Sequence, residues 1–131
     1  MILVDTSVLI DFFRGVKNEG AQKLETILDR GIPFGINSFI FQEVLQGAAS
    51  EKEYSLLDRY LRTQRFYHLK DPVDSFARAA RIYMDCRRKG ITIRSTIDCL
   101  IVETVLEHDL FLLHNDNEFS AIARVIPLKS Y

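Results

Sequence analysis

Short apolar runs alternate with amphipathic stretches along the whole chain. Ile2-Leu3-Val4 is an apolar run that stops at a carboxylate, Asp5, and after Thr6 and Ser7 the segment Val8 to Phe13 is amphipathic. That pattern predicts a short buried strand, a turn carrying an acid, and a helix. A second helix is predicted over about Ala21 to Arg30, with Leu24, Ile27 and Leu28 on one face and Gly31 as its stop. Ile32 to Ile36 reads as a strand weakened by Pro33 and Gly35, and Asn37 or Ser38 caps a helix from Phe39 to Gln46. Ser50-x-x-Glu53 is a capping box that opens a helix to about Arg62, striped by Tyr54, Leu57 and Leu61. Phe66 to Leu69 is a strand candidate. Asp71-Pro72 starts a helix with an apolar stripe of Val73, Phe76, Ala77, Ala80, Tyr83 and Met84. Ile91 to Arg94 is extended, Ser95 caps a helix from Thr96 to about His108, and Leu110 to Leu113 is a fully apolar strand. A helical turn holds Phe119 and Ile122, and Val125 to Leu128 predicts a last strand. Strands alternating with helices predict an α/β fold, a parallel sheet covered on both faces.

Composition adds limits. The 131 residues suit one domain over 1–131, and apolar and charged contents of 47% and 27% are those of a globular protein. Cys86 and Cys99 lack C-x-x-C spacing and sit in apolar helical patterns, so reduced thiols in a cytoplasmic protein are expected. The N-terminus has no basic start of a signal peptide, and no apolar run approaches the ~18 residues of a membrane span. Net charge is −1, so contact with nucleic acid would need a local basic patch or a bound cation.

Four of the 18 acids have unusual neighbours. Asp5 follows Ile2-Leu3-Val4. Glu43 sits among Ile40, Phe41, Val44 and Leu45. Asp98 sits between Ile97 and Cys99-Leu100-Ile101. Asp116 comes shortly after Leu110-Phe111-Leu112-Leu113. Each has an ordinary explanation: Asp5 and Asp116 as helix caps, Asp98 as the acid of a capping box begun at Ser95, Glu43 as part of a polar face with Gln42 and Gln46. Together they point elsewhere. Strand ends and helix starts share one edge of an open parallel sheet, where ligands bind. Four carboxylates gathered there repel one another, and a divalent cation removes the conflict. A set of oxygen donors without His or Cys suits Mg²⁺ or Mn²⁺, whose bound water can attack a phosphodiester. No Ser/His/Asp arrangement is recoverable around His68, His108 or His114, and no Gly-rich phosphate loop is present. Arg87-Arg88-Lys89 reads as a charge complement to a helix C-terminus.

These residues resemble a known family. Val4-Asp5-Thr6-Ser7-Val8-Leu9-Ile10-Asp11, Glu43 in a helix ending at Gly47, Gly90-Ile91-Thr92-Ile93 leading to Asp98-Cys99-Leu100-Ile101, and Leu112 to Phe119 occur in the order and spacing of PIN domains. More narrowly they resemble the VapC toxins of prokaryotic toxin–antitoxin pairs, from residue 1 to about residue 126. The resemblance implies a three-layer α/β/α sandwich with a central parallel sheet of four or five strands. It implies an endoribonuclease dependent on Mg²⁺ or Mn²⁺, with Asp5, Glu43, Asp98 and Asp116 as the acidic quartet. It also implies a homodimer held inactive by a VapB-like antitoxin. Glu118 matches a further acid that is usually Asp, Thr6 or Ser7 matches a hydroxyl near the metal, and His114 stands where the family often has Thr or Ser. Two other classes are open on the sequence: a non-catalytic PIN-like module that binds RNA or protein, and a Mg²⁺-dependent phosphatase with Asp5 as nucleophile. Ser7, where the common phosphatase pattern has a second Asp, argues against the latter.

Overall fold

Three apolar triplets make the centre of the molecule. In the computed structural model, which describes residues 1–131, these are β1 (Ile2–Val4), β2 (Phe34–Ile36) and β4 (Phe111–Leu113). A two-residue strand, β3 (Arg65–Phe66), completes a parallel sheet in the order β3-β2-β1-β4. The helices are α1 (Thr6–Phe13), α2 (Glu19–Asp29), α3 (Ser38–Gln46), α4 (Glu51–Leu61), α5 (Asp74–Arg88), α6 (Thr96–Glu107) and α7 (Asn117–Ile122). Right-handed crossovers fix their placement. The chain steps from β1 to β2 to β3 in one direction, which puts α1 to α4 on one face. It then crosses back to β4, which puts α5 and α6 on the other. The result is a three-layer α/β/α sandwich with four strands. The direction of winding reverses between β1 and β4, the switch point where open α/β sheets bind ligands.

One core cluster of 28 buried residues fills the space between the layers, Leu3, Val4, Ile36, Ile101, Leu112 and Leu113 among them. Burying each such side chain is worth roughly 1.5–3 kcal/mol. Both cysteines are free and buried, and no helix is long and apolar enough to cross a membrane.

Several expectations shift. Asn18 accepts from the Ala21 amide at 2.9 Å and starts α2 two residues early, at Glu19. Leu28 is then 36% exposed rather than on the buried face. The third strand is Arg65–Phe66, not Phe66 to Leu69, and Tyr67 adds one further bond to the Ile36 carbonyl. Val125 to Leu128 is not a strand. The amides of Val125 and Ile126 are spent on the Ile122 carbonyl, and Pro127 has no amide to offer. A single bridge between Leu112 and Ser130 stands in its place.

The largest departure is the rotation of α5. Its buried line is Ser75, Ala79, Ile82 and Cys86, while Val73 is 71% and Phe76 45% exposed. Arg78 explains this. Its guanidinium donates to Glu103 at 2.9 Å and to Glu107 at 3.3 Å, both on α6 with side chains only 4% and 6% exposed. Rotating α5 to bury Phe76 and Tyr83 would strip two buried carboxylates of their cation, which costs more than an exposed ring.

Candidate active site

Each acid is delivered by a different element. The β1–β4 ladder runs one bond past the strands, from the Asp5 amide to the Leu113 carbonyl at 2.9 Å, and fixes Asp5 at the sheet edge. Asp5 is the N-cap of α1: its Oδ2 accepts the Ser7 amide at 3.1 Å and the Ser7 hydroxyl at 2.6 Å. Asp116 caps α7 through the Glu118 amide at 2.8 Å. Both are caps and edge acids at once. Glu43 lies within α3, whose start is fixed by the Asn37 cap on the Ile40 amide at 2.9 Å. The Thr6 hydroxyl donates to Glu43 Oε1 at 2.8 Å, which ties α1 to α3 at the site. Asp98 is not the acid of a capping box: Ser95 Oγ accepts from Ile97, leaving the Asp98 carboxyl turned to the cluster.

The acids feel one another. Asp5 is only 5% exposed. Burial pushes its carboxyl above the usual range, against the pull of its Ser7 and Thr6 bonds, and the charge of Asp116 adds to the rise. Glu43 is raised by burial and by Asp5, and held down in part by Thr6. Asp98 is pushed up to about 8 by burial first, then by its hydrogen bond to Glu118 and by the charges of Glu118, Asp5 and Asp116. None of the chain's ion pairs includes any of these acids. Asp5 is thus the common neighbour: Glu43, Asp98 and Asp116 each interact with it, and Glu118 stands beside Asp98. No three of them form a ready-made cage for an ion.

Glu118 and His114 take particular roles. The extra methylene of Glu118 lets it reach back to the loop before α6, where Oε1 accepts the Arg94 amide at 2.9 Å. His114 braces its own loop, accepting the Asp116 amide on Nδ1 at 3.2 Å and packing against Phe119. Burial holds its imidazole below the ordinary value, toward the neutral form. Beside the acids lies a cleft of about 600 Å³ lined by Ser7, Thr92, Arg94, Asn115, Asp116 and Glu118, among others. Arg94 and Asn115 carried no signal in the sequence beyond their place near Asp98 and Asp116.

A parallel sheet with acids brought to the edge at its switch point by two strand–helix turns and two helices defines a class of fold and site. The chain belongs to the PIN-domain family, whose model matches residues 2–125. It is 32% identical over 131 residues to a VapC ribonuclease of Mycobacterium bovis and to ribonuclease VapC11 of Mycobacterium tuberculosis, covering 99% of this chain and 97% of each relative. Among solved structures it is similar to VapBC2 from Rickettsia felis bound to a promoter DNA fragment, with a TM-score of 0.74, 19% identity, and coverage of 100% of this chain and 98% of that one. It is also similar to a toxin–antitoxin complex from Klebsiella pneumoniae, with a TM-score of 0.70, 22% identity, and coverage of 98% and 99%. These likenesses show the shared fold.

Proposed function

We propose that the chain is a divalent-metal-dependent endoribonuclease and the toxin of a VapBC-type toxin–antitoxin pair. The observation that carries this reading is the buried Asp5 carboxylate at the switch point, facing further acids and paired with no cation. The donor set is all oxygen, which fits Mg²⁺ or Mn²⁺. Mg²⁺ keeps several waters and takes direct bonds from only one or two carboxylates, so the remaining acids would reach it through those waters and no closed cage of three is needed. Asp5, Asp98 and Asp116 would hold the ion, directly or through water, and Glu43 would hold it too or orient the attacking water. The chemistry such an ion would supply there is a more acidic bound water and an offset to the charge of the scissile phosphate.

The chain's own groups set the stage for that chemistry. The Ser7 amide and hydroxyl both bond Asp5 Oδ2 and fix the orientation of the carboxyl. Thr6 occupies Glu43 Oε1 and leaves Oε2 to accept a proton. The adjoining cleft is large enough for a nucleotide and lined by polar groups. The names of the relatives support RNA as substrate and a VapB-like antitoxin as partner. Two apolar patches that the chain leaves uncovered support protein partners, a second copy included. One holds Phe13, Leu56 and Tyr60; the other holds exposed Phe76 with half-buried Tyr83 and Met84 beside a cavity of about 380 Å³. We assign the working compartment as the cytoplasm, where buried free thiols persist.

Incubation of purified protein with RNA oligonucleotides tests the reading. Cleavage is expected with Mg²⁺ or Mn²⁺, none with a chelator, and none for Asp5→Asn with an unchanged circular dichroism spectrum. Wild-type cleavage rates in Asp5→Asn would refute it. RNA bound but uncut, with no Mn²⁺ taken up, would mark a binding module instead.

A further inference from the structure

One polar cluster next to the acids reaches beyond the cleft that Asn115 lines. The Asn115 side-chain amide donates to Asp11 Oδ2 and to Asn18 Oδ1, both at 3.0 Å. Asn18 Nδ2 donates to the same Asp11 oxygen at 2.9 Å, while its Oδ1 also caps α2 through Ala21. The backbone amide of Asn115 donates to Ser7 Oγ at 3.1 Å, and that hydroxyl donates to Asp5 Oδ2. Residues far apart in sequence thus tie α1 to the α1–α2 and β4–α7 connections. Gly20 is the seat of this arrangement. A Cβ there would fall on the Asn115 carboxamide, with Cγ at 2.6 Å and Nδ2 at 2.8 Å.

We propose that Asp11, Asn18 and Asn115, seated on Gly20, form a positioning clamp that sets the spacing of Asp5 and Asp116. The clamp rests on the metal-dependent reading given above. Asn115 precedes Asp116 directly and reaches Asp5 through one hydroxyl, so its position sets the distance between the two edge acids. Its bonds lie near solvent, where they add little to global stability. A site needs its donors held within about half an ångström, so the same bonds matter far more to ion binding. Loss of a supporting partner of this kind typically costs 10–100-fold in metal affinity or activity.

The test is Mn²⁺ binding to the full chain, by calorimetry or electron paramagnetic resonance, alongside thermal melts in chelator. Asn115→Ala and Gly20→Ala are expected to weaken Mn²⁺ binding about tenfold or more. The metal-free melting temperature should stay near wild type in Asn115→Ala. Asp11→Asn keeps an oxygen that can accept the Asn115 amide and should restore most of the affinity lost in Asp11→Leu. A wild-type chain that neither binds Mn²⁺ nor cleaves RNA overturns the functional reading itself. A wild type that does both, with Asn115→Ala binding Mn²⁺ equally well, overturns the clamp alone. Asn115 is exposed as a residue and its substitution overpacks nothing, so Asn115→Ala decides the matter even if Gly20→Ala does not fold.

Discussion

Asp98→Asn should make the metal-free protein more stable while removing its response to metal. The carboxyl of Asp98 is pushed from an ordinary 3.8 up to about 8. A group with a raised folded-state pKa binds its proton more tightly when folded. Its stabilising contribution is complete below about pH 4 and is lost as pH rises toward about 8. At pH 7 the ceiling is about 3 pKa units, or ~4 kcal/mol. Partial exposure and the proton shared with Glu118 reduce this to about 2 kcal/mol. Asn keeps the shape and can still donate to Glu118, so the variant should recover that amount, about 7 °C in melting temperature for a chain of this length. Asp5 and Glu43 are raised as well and steepen the same decline. Glu107 has the opposite sign: held near 2, it contributes above its unfolded value of 4.5 and is lost as pH falls through about 2. The metal-free wild type should therefore be most stable near about pH 5. The assay is urea unfolding followed by circular dichroism from pH 4 to 8 in chelator, repeated with Mg²⁺. Mg²⁺ should raise wild-type stability at pH 8 and do little for Asp98→Asn. Equal metal-free wild-type stability at pH 5 and pH 8, or no gain in the variant, would refute the reasoning.

Thr6→Val removes the hydroxyl that holds Glu43. It should cut RNA cleavage by about 10–100-fold with little change in the unfolding midpoint, as read by cleavage rates and urea titration. Gly35→Ala would drive a methyl into the Tyr67 ring and to within 2.8 Å of the Arg65 carbonyl. A loss of about 1–3 kcal/mol is expected in urea unfolding, since overpacked cores strain their neighbours. Burial pushes the Cys99 thiol up to about 11 and Cys86 upward too. Neither should react with an aromatic disulfide reagent in the native protein at pH 8, and both should react in denaturant.

Much of this fold is written locally. The apolar triplets before Asp5 and near Asp116 locate β1 and β4, and a capping box at Ser50 and Glu53 forms as its spacing requires, with the Glu53 amide on Ser50 Oγ at 3.1 Å. The face of α5 was not legible, because hydrophobic periodicity weighs Phe76 and Tyr83 above Ser75 and Cys86. The deciding partners, Glu103 and Glu107, lie 25 and 29 residues beyond Arg78. The clamp was hidden for the same reason at longer range. Asp11 lies in the first amphipathic segment and Asn18 beyond it, and nothing joins them until the topology carries Asn115, 104 and 97 residues away, to their side. The role of Glu118 depended on one methylene and on a backbone amide, which residue identity does not reveal.

The final residues of the chain also decide how it can meet other molecules. The Leu112 amide donates to the Lys129 carbonyl at 2.8 Å, and the Tyr131 amide donates to the Leu112 carbonyl at 2.9 Å. The outer rim of β4 is thereby closed to strand addition, and the opposite rim, β3, offers only two residues. A visiting strand finds no long free ladder on either side. Recognition is left to side chains on the helices and at the acidic edge. The sequence on those surfaces can change its choice of company while the sheet beneath stays fixed.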